Sequence, residues 1–212
     1  MDIFKALDKL RPTATGIDRL PARFPRAGAP VFCRQITVLF NLSVATSAIP
    51  RQWKQANIRP IPIVVAPKQH ANFRPISITL VLTRITERTV VQAFLYLAFF
   101  SPPQSLSFSN QFAFRPTGSP EAAIISLIHI VTRMLLSNQY VVVISLDFKA
   151  FDTVRHATLV SKLAELDLPV YLYNWLAAFF SDHSYCTDYN GQRSSMKKIT
   201  ASIIQGSGIG HT

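Results

Sequence analysis

In the first half of the chain, apolar and polar positions alternate in short runs, each cut off by a proline. In the second half the runs lengthen. Thirteen of the fourteen prolines lie at or before Pro120, and only Pro169 follows. The pattern predicts short elements joined by rigid turns, then longer regular structure. "VFCRQITVLFNLSVATSAIP" predicts a helix from about Val31, closed before Pro50. "WKQANIRPIPIVV" and "NFRPISI" predict two extended segments whose prolines mark edge positions, with a basic turn, "APKQHA", between them. Thr79 or a neighbour is placed to cap a long helix running to about Phe99.

The second half opens with "TGSPEAAIISLIHIVTRMLLSN". Ser119 stands at the N-cap, Pro120 at the first helical position and Glu121 in the first turn, ahead of helical apolar spacing. Tyr140–Leu146 is β-branched and continuous, which predicts a strand covered on both faces. Two helical stretches follow, at about Ala157–Leu166 and Tyr171–Phe180. In "SYCTDYNGQRSSMKKITASII", Asn190-Gly191 between two extended arms predicts a hairpin. The fold class is α+β. The expected division is a basic, proline-broken lobe over residues 1–120 and a more regular one over 121–212.

Composition narrows the class. Apolar residues make up 49% and charged residues 16% of the 212, which excludes general disorder and hints at surface awaiting a partner. The apolar run Val90–Phe100 is well short of the roughly 18 residues that span a bilayer. The start, "MDIFKALDKLRP", lacks the pattern of a secretion signal. Two cysteines, Cys33 and Cys186, make no disulfide framework, and the five histidines are scattered singly. An intracellular protein of nucleus or cytoplasm, not secreted and not in a membrane, is the expectation.

Charge adds more. The formal net charge is +11, and from Arg19 to Thr86 there are ten Lys or Arg and no Asp or Glu. Solvated faces normally mix signs, so a stretch of this length points to a polyanion, with nucleic acid the leading class. The cations expected to touch it are Lys54, Arg59, Lys68 and Arg115.

In "DFKAFDTVRH" an aspartate, Asp147, ends the apolar run. A carboxylate there is either a turn residue or an ion ligand; in a basic protein bound to nucleic acid, strand-end carboxylates commonly hold Mg²⁺ for phosphoryl transfer. The segment resembles the first catalytic motif of reverse transcriptases of non-LTR (LINE-type) retrotransposons. "ATGID", "IPRQWKQANIRPIP", "NFRPISIT", "NQFAFRPTGSPEAA" and "IIQGSGIG" resemble further motifs of that family in the same order. The resemblance implies reverse-transcriptase fingers plus an incomplete palm of the right-hand polymerase fold, without a thumb. It also implies Mg²⁺ as cofactor, with an RNA template, a DNA primer and deoxynucleoside triphosphates as partners. Asp147 would be catalytic and bind the metal, helped by the backbone carbonyl of Phe148. Phe151 would lie beneath the sugar, Arg74 would hold the triphosphate, and Gln205 and Gly206 would lie against nucleotide and template. Asp152 is expected instead to start a helix and pair with Arg155. "QGSGIG" has the spacing G-x-G-x-G rather than that of a dinucleotide loop and is set aside.

Three departures bear on activity. The resembled family places the phenylalanine five residues after the aspartate, whereas Asp147 to Phe151 is four. A residue of extended chain is about 3.3 Å, and a one-residue slip reverses side-chain direction. Ile63 stands where the family has a triphosphate-contacting lysine, and Ala113 replaces a glycine. The sequence also ends at Thr212, with His211 in place of a proline, before any aromatic-Ala-Asp-Asp motif. The expectation is a retrotransposon reverse transcriptase fragment that is inactive by itself, the alternative a non-catalytic nucleic-acid-binding protein. An open strand edge at Tyr140–Leu146 is expected to favour self-association.

Overall fold

The structure is a computed structural model that describes residues 3–103, 105–106, 108, 110–113, 118–146, 154–199 and 209. In chain order the elements are α1 (Ile3–Asp8), α2 (Arg23–Ala27), α3 (Ala29–Thr46), β1 (Gln55–Pro62), β2 (Phe73–Ile78) and α4 (Val81–Val90). A π turn at Val91–Leu95 carries α4 into α5 (Tyr96–Phe100). Then come α6 (Pro120–Leu135), α7 (His156–Ala164), α8 (Val170–Phe180), β3 (Ser184–Tyr189), β4 (Gln192–Arg193) and β5 (Lys197–Lys198). The architecture is mixed α/β around one sheet.

The sheet order is β2-β1-β3-β4, with β5 also paired to β3. β1 and β2 are antiparallel, from Asn57 opposite Ile78 out to Pro62 opposite Phe73. β1 and β3 are parallel, from Gln55 opposite Ser184 to Ile58 opposite Thr187. β1 is therefore an inner strand as far as Ile58 and an edge beyond it. Pro60 and Pro62 fall in that outer half, where a missing N–H leaves no ladder position empty on the β3 side. Asn190 (φ 48°) and Gly191 (φ 78°) form the predicted tight turn between β3 and β4.

Two apolar clusters support the sheet. Ile3, Leu7, Ile36, Phe40, Trp53, Val81 and Ile85 join α1, α3 and the start of α4. Val90, Leu95, Leu163, Leu172, Trp175 and Phe179 join the end of α4 to α7 and α8. The clusters are linked by a polar contact at full burial: Trp175 Nε1 donates to Ser43 Oγ at 3.0 Å. At the β2–α4 junction, "ATGID" lies close to the start of α4. A Cβ on Gly16 would meet Leu80 Cδ2 at 2.9 Å and the Thr79 carbonyl oxygen at 3.1 Å, and Arg84 donates to the Ala14 carbonyl at 3.0 Å.

Most of the predicted elements are present, including α6 with Ser119 Oγ accepting from the Ala122 amide at 3.1 Å. Two are corrected. Thr79 does not cap the long helix: the N-cap position falls to its neighbour Leu80, whose apolar side chain makes no cap bond. Tyr140–Leu146 forms no strand and is not covered on both faces; Tyr140, Val142, Ile144 and Leu146 are all more than two-thirds exposed. A β-branched run sets extended backbone, but a strand also needs a neighbour's N–H and C=O groups. Among the described residues no strand pairs with it. α6 likewise buries none of its residues.

Candidate nucleic-acid interface

The β1–β2 hairpin projects from the sheet. Its base is held by Asn57, nearly fully buried, whose Nδ2 donates to Asp188 Oδ2 at 2.7 Å. Arg193 grips the same carboxylate with two bonds, Nε to Oδ1 at 2.8 Å and a terminal guanidinium nitrogen to Oδ2 at 2.9 Å. The Arg193 fork first, then the Asn57 amide, pulls the Asp188 carboxyl down to about 2.

Farther out the hairpin carries cations. Opposed residues share a face and the side-chain period is two. Ile61 opposite Arg74 and Arg59 opposite Ile76 therefore put Arg59 and Arg74 diagonally on one face. Both are exposed. At the tip, Asn72 Oδ1 accepts from the amides of Lys68 at 3.1 Å and Gln69 at 3.0 Å, and the Ile63 amide donates to the Asn72 carbonyl at 2.9 Å. The turn presents an exposed Lys68 and an apolar rim of Ile63, Val64 and Val65. Lys54, at the root of β1, is half-buried: burial lowers its pKa and the Asp182 carboxylate partly offsets that.

Four of the expected site residues, Lys54, Arg59, Lys68 and Arg74, thus belong to one projecting hairpin and its root. The other six, Arg115, Asp147, Phe148, Phe151, Gln205 and Gly206, lie outside the described residues, as does Asp152. Among the described residues no group of three or more His, Cys, Asp or Glu is placed to hold a metal ion. Ala113 is tolerated in place of glycine because its φ is not positive: the described non-glycine residues with positive φ are Arg19, Ser47, Asp182 and Asn190. No described helix is long and apolar enough to cross a membrane.

Sequence reasoning missed one buried acid. Glu87 is fully buried on α4, and its Oε2 accepts from the Ile209 amide at 3.3 Å. The available signal was its place on the stripe Thr83, Glu87, Val91, whose i, i+4 spacing faces the core. The Asn57–Asp188 bond was also missed.

The exposed cations Arg59, Lys68 and Arg74 thus sit on a hairpin rooted in a mixed sheet. The family profile of reverse transcriptase (RNA-dependent DNA polymerase) matches residues 66–211, more than half of the chain, which therefore belongs to that family. It is similar to the RNA-directed DNA polymerase from mobile element jockey of Drosophila melanogaster, 28% identical over 202 residues, 94% of this chain and 22% of that protein. It is also similar to two probable RNA-directed DNA polymerases of the same organism. The one from transposon BS is 25% identical over 181 residues (82% of this chain, 19% of that protein). The one from transposon X-element is 26% identical over 180 residues, with the same shares. The chain spans about a fifth of the length of these relatives. The resemblance to retrotransposon reverse transcriptases is borne out.

Proposed function

We propose that this chain is the fingers and first part of the palm of a retrotransposon reverse transcriptase. On this reading residues 1–120 grip template and incoming nucleotide, and residues 121–212 begin the palm. Arg74 would hold the triphosphate, Lys54, Arg59, Lys68 and Arg115 the phosphate backbone, and Gln205 and Gly206 the nucleotide and template. Asp147 and the Phe148 carbonyl would be the magnesium ligands, and Phe151 the residue beneath the sugar. The observation that carries the reading is the projecting hairpin with Arg59 and Arg74 on one face, within a stretch of 68 residues that holds ten cations and no acid.

The hairpin supports binding to phosphates independently of chemistry. The shortened interval from Asp147 to Phe151 argues against synthesis, because misplacing a catalytic group by about 1 Å already costs around 10²-fold. The chain is therefore proposed to bind nucleic acid without extending a primer. Binding to a short single-stranded RNA should weaken steeply with salt. Replacing Arg59 and Arg74 by alanine should make the salt dependence shallower by about 0.7 per lost phosphate contact. Salt-independent binding would remove the reading. Primer extension that depends on Asp147 would overturn the claim of inactivity.

A different surface supports self-association. α6 buries none of its residues, and Val142–Leu146 is largely exposed beside it in sequence. Light scattering at micromolar concentration should show dimers or larger species, and a uniform monomer would exclude them.

A further inference from the structure

The two faces of the hairpin differ. Arg59 and Arg74 share one face with Asn57 and Asp188. The other carries Pro60, Pro62 and Phe73, as the pairing of Pro62 with Phe73 requires. Parallel pairing of Ile58 with Thr187 sets Tyr185 and Tyr189 on this second face as well. Across it the rings of Phe73 and Tyr189 meet edge to face, 5.5 Å between centroids at 87°. Tyr189 is 44% exposed. Lys197, opposite Tyr185 in the β3–β5 ladder, puts an exposed ammonium on the same face.

Phe73 packs one side of the Tyr189 ring, and the rest of that ring stays in water. A T-shaped contact fixes the orientation of such a ring and leaves the outer face of one partner open. Combined with a cation on the same face of a strongly basic chain, it has the parts that bind unpaired nucleobases: a π surface for the base and positive charge for the phosphates beside it.

We infer that Phe73 and Tyr189 form a stacking platform for an unpaired base of single-stranded nucleic acid, with Lys197 holding an adjacent phosphate. This rests on the proposed nucleic-acid role and adds a selectivity to it. Bases in a duplex have their faces occupied by neighbours, so the platform favours single strands over duplex. Arg59 and Arg74, on the reverse face, contact phosphate without that preference. Asn190 and Gly191, both at positive φ, reverse the chain immediately after Tyr189.

The test uses the whole chain and two fluorescein-labelled probes of equal length, an oligothymidylate and a blunt duplex, titrated between about 50 and 200 mM salt. Tyr189→Leu keeps apolar bulk and removes the π face. It should weaken oligothymidylate binding roughly 5- to 150-fold, the loss of one stacked base. The salt slope should stay as it was and duplex binding should be unchanged. Tyr189→Phe should bind as the parent does. Lys197→Ala should make the slope shallower by about 0.7 for the single strand. Single-strand affinity unchanged in Tyr189→Leu, or an equal loss for both probes, overturns the platform. Those results leave the arginine face standing as long as the parent's binding still depends on salt. If the parent binds neither probe, the nucleic-acid reading itself fails and the platform with it.

Discussion

Asn57 on β1 donates a 2.7 Å hydrogen bond to Asp188 on β3, joining residues 131 positions apart at the root of the projecting hairpin. Asn57 is buried, and its Oδ1 lies 3.9 Å from the Cys186 thiol. Removing the carboxylate strands a buried amide donor and frees Arg193 together. Asp188→Ala is expected to lower stability by about 1–3 kcal/mol, the penalty of an unsatisfied buried polar group. Asp188→Asn keeps an acceptor and should lose less. Urea denaturation of the two variants checks the order, and equal stability of parent and Asp188→Ala would refute it.

Ser43 and Trp175 make the second long-range tie. The Ser43 hydroxyl accepts from the indole and donates to the Ala48 carbonyl at 2.8 Å. Ser43→Ala leaves the indole N–H buried without its acceptor and should lower stability by about 1–3 kcal/mol. Trp175→Ala empties a site stacked on Phe179 at 5.2 Å and should lower it by about 3–5 kcal/mol. Thermal unfolding ranks them.

Elements whose signals are local were legible. Ser119 and Pro120 marked the start of α6, Asn190-Gly191 the β3–β4 turn, and the proline-marked segments "NIRPIP" and "NFRPIS" the hairpin arms. Tyr140–Leu146 was misjudged because β-branching describes the residue, whereas strand formation depends on a neighbour that no local pattern supplies. The parallel pairing of β1 with β3 was hidden for the same reason. So was the Asn57–Asp188 tie: an aspartate two residues before Asn-Gly reads as solvated turn chemistry until β1 is laid beside it. Of the site, the hairpin cations were visible and the aromatic face was not, since Phe73 and Tyr189 lie in different halves of the chain.

His183 sets a pH dependence. It is buried, its Nε2 hydrogen-bonds the Phe179 carbonyl, and its ring packs against Phe179. Burial, partly offset by that carbonyl, lowers its pKa to about 4. The unfolded chain, with a histidine near 6.5, binds more protons than the folded one between those values. Stability is therefore complete above about pH 6.5 and falls as pH drops toward 4, by about 2–3 kcal/mol. In His183→Gln the amide keeps a donor for Phe179, and this part of the slope should vanish. Urea midpoints at neutral and mildly acidic pH measure it; a parallel pH slope in the variant would exclude His183 as the cause.

Glu87 ties α4 to Ile209, a residue of the cluster that also holds Val90, Val91 and Leu95. Arg84 lies close enough for the carboxylate to support its charge against burial. Glu87→Gln retains an acceptor for the Ile209 amide, and Glu87→Leu retains only bulk. Hydrogen exchange at the Ile209 amide should quicken roughly 5- to 150-fold in the leucine variant, the equivalent of about 1–3 kcal/mol. The glutamine variant should change less. Equal exchange in parent and leucine variant would dissociate Glu87 from that segment.

Ile63 offers a gain rather than a loss. It is 55% exposed at the hairpin tip, and its backbone amide, not its side chain, holds the turn through the Asn72 carbonyl. The first residue after "PIP" is also where the resembled motif carries a lysine. Ile63→Lys therefore places a cation beside Lys68 without breaking a ladder bond, and it removes apolar surface that contributes little to packing. Stability should change by no more than about 0.5 kcal/mol, as for other exposed substitutions. Single-strand affinity should rise, and the dependence of log K on log salt should steepen by about 0.7, one added phosphate contact. Higher affinity with an unchanged slope would mean that the lysine acts through something other than phosphate. No change in either would place the tip of the hairpin outside the bound strand's path and confine the interface to Arg59, Arg74 and the strands behind them.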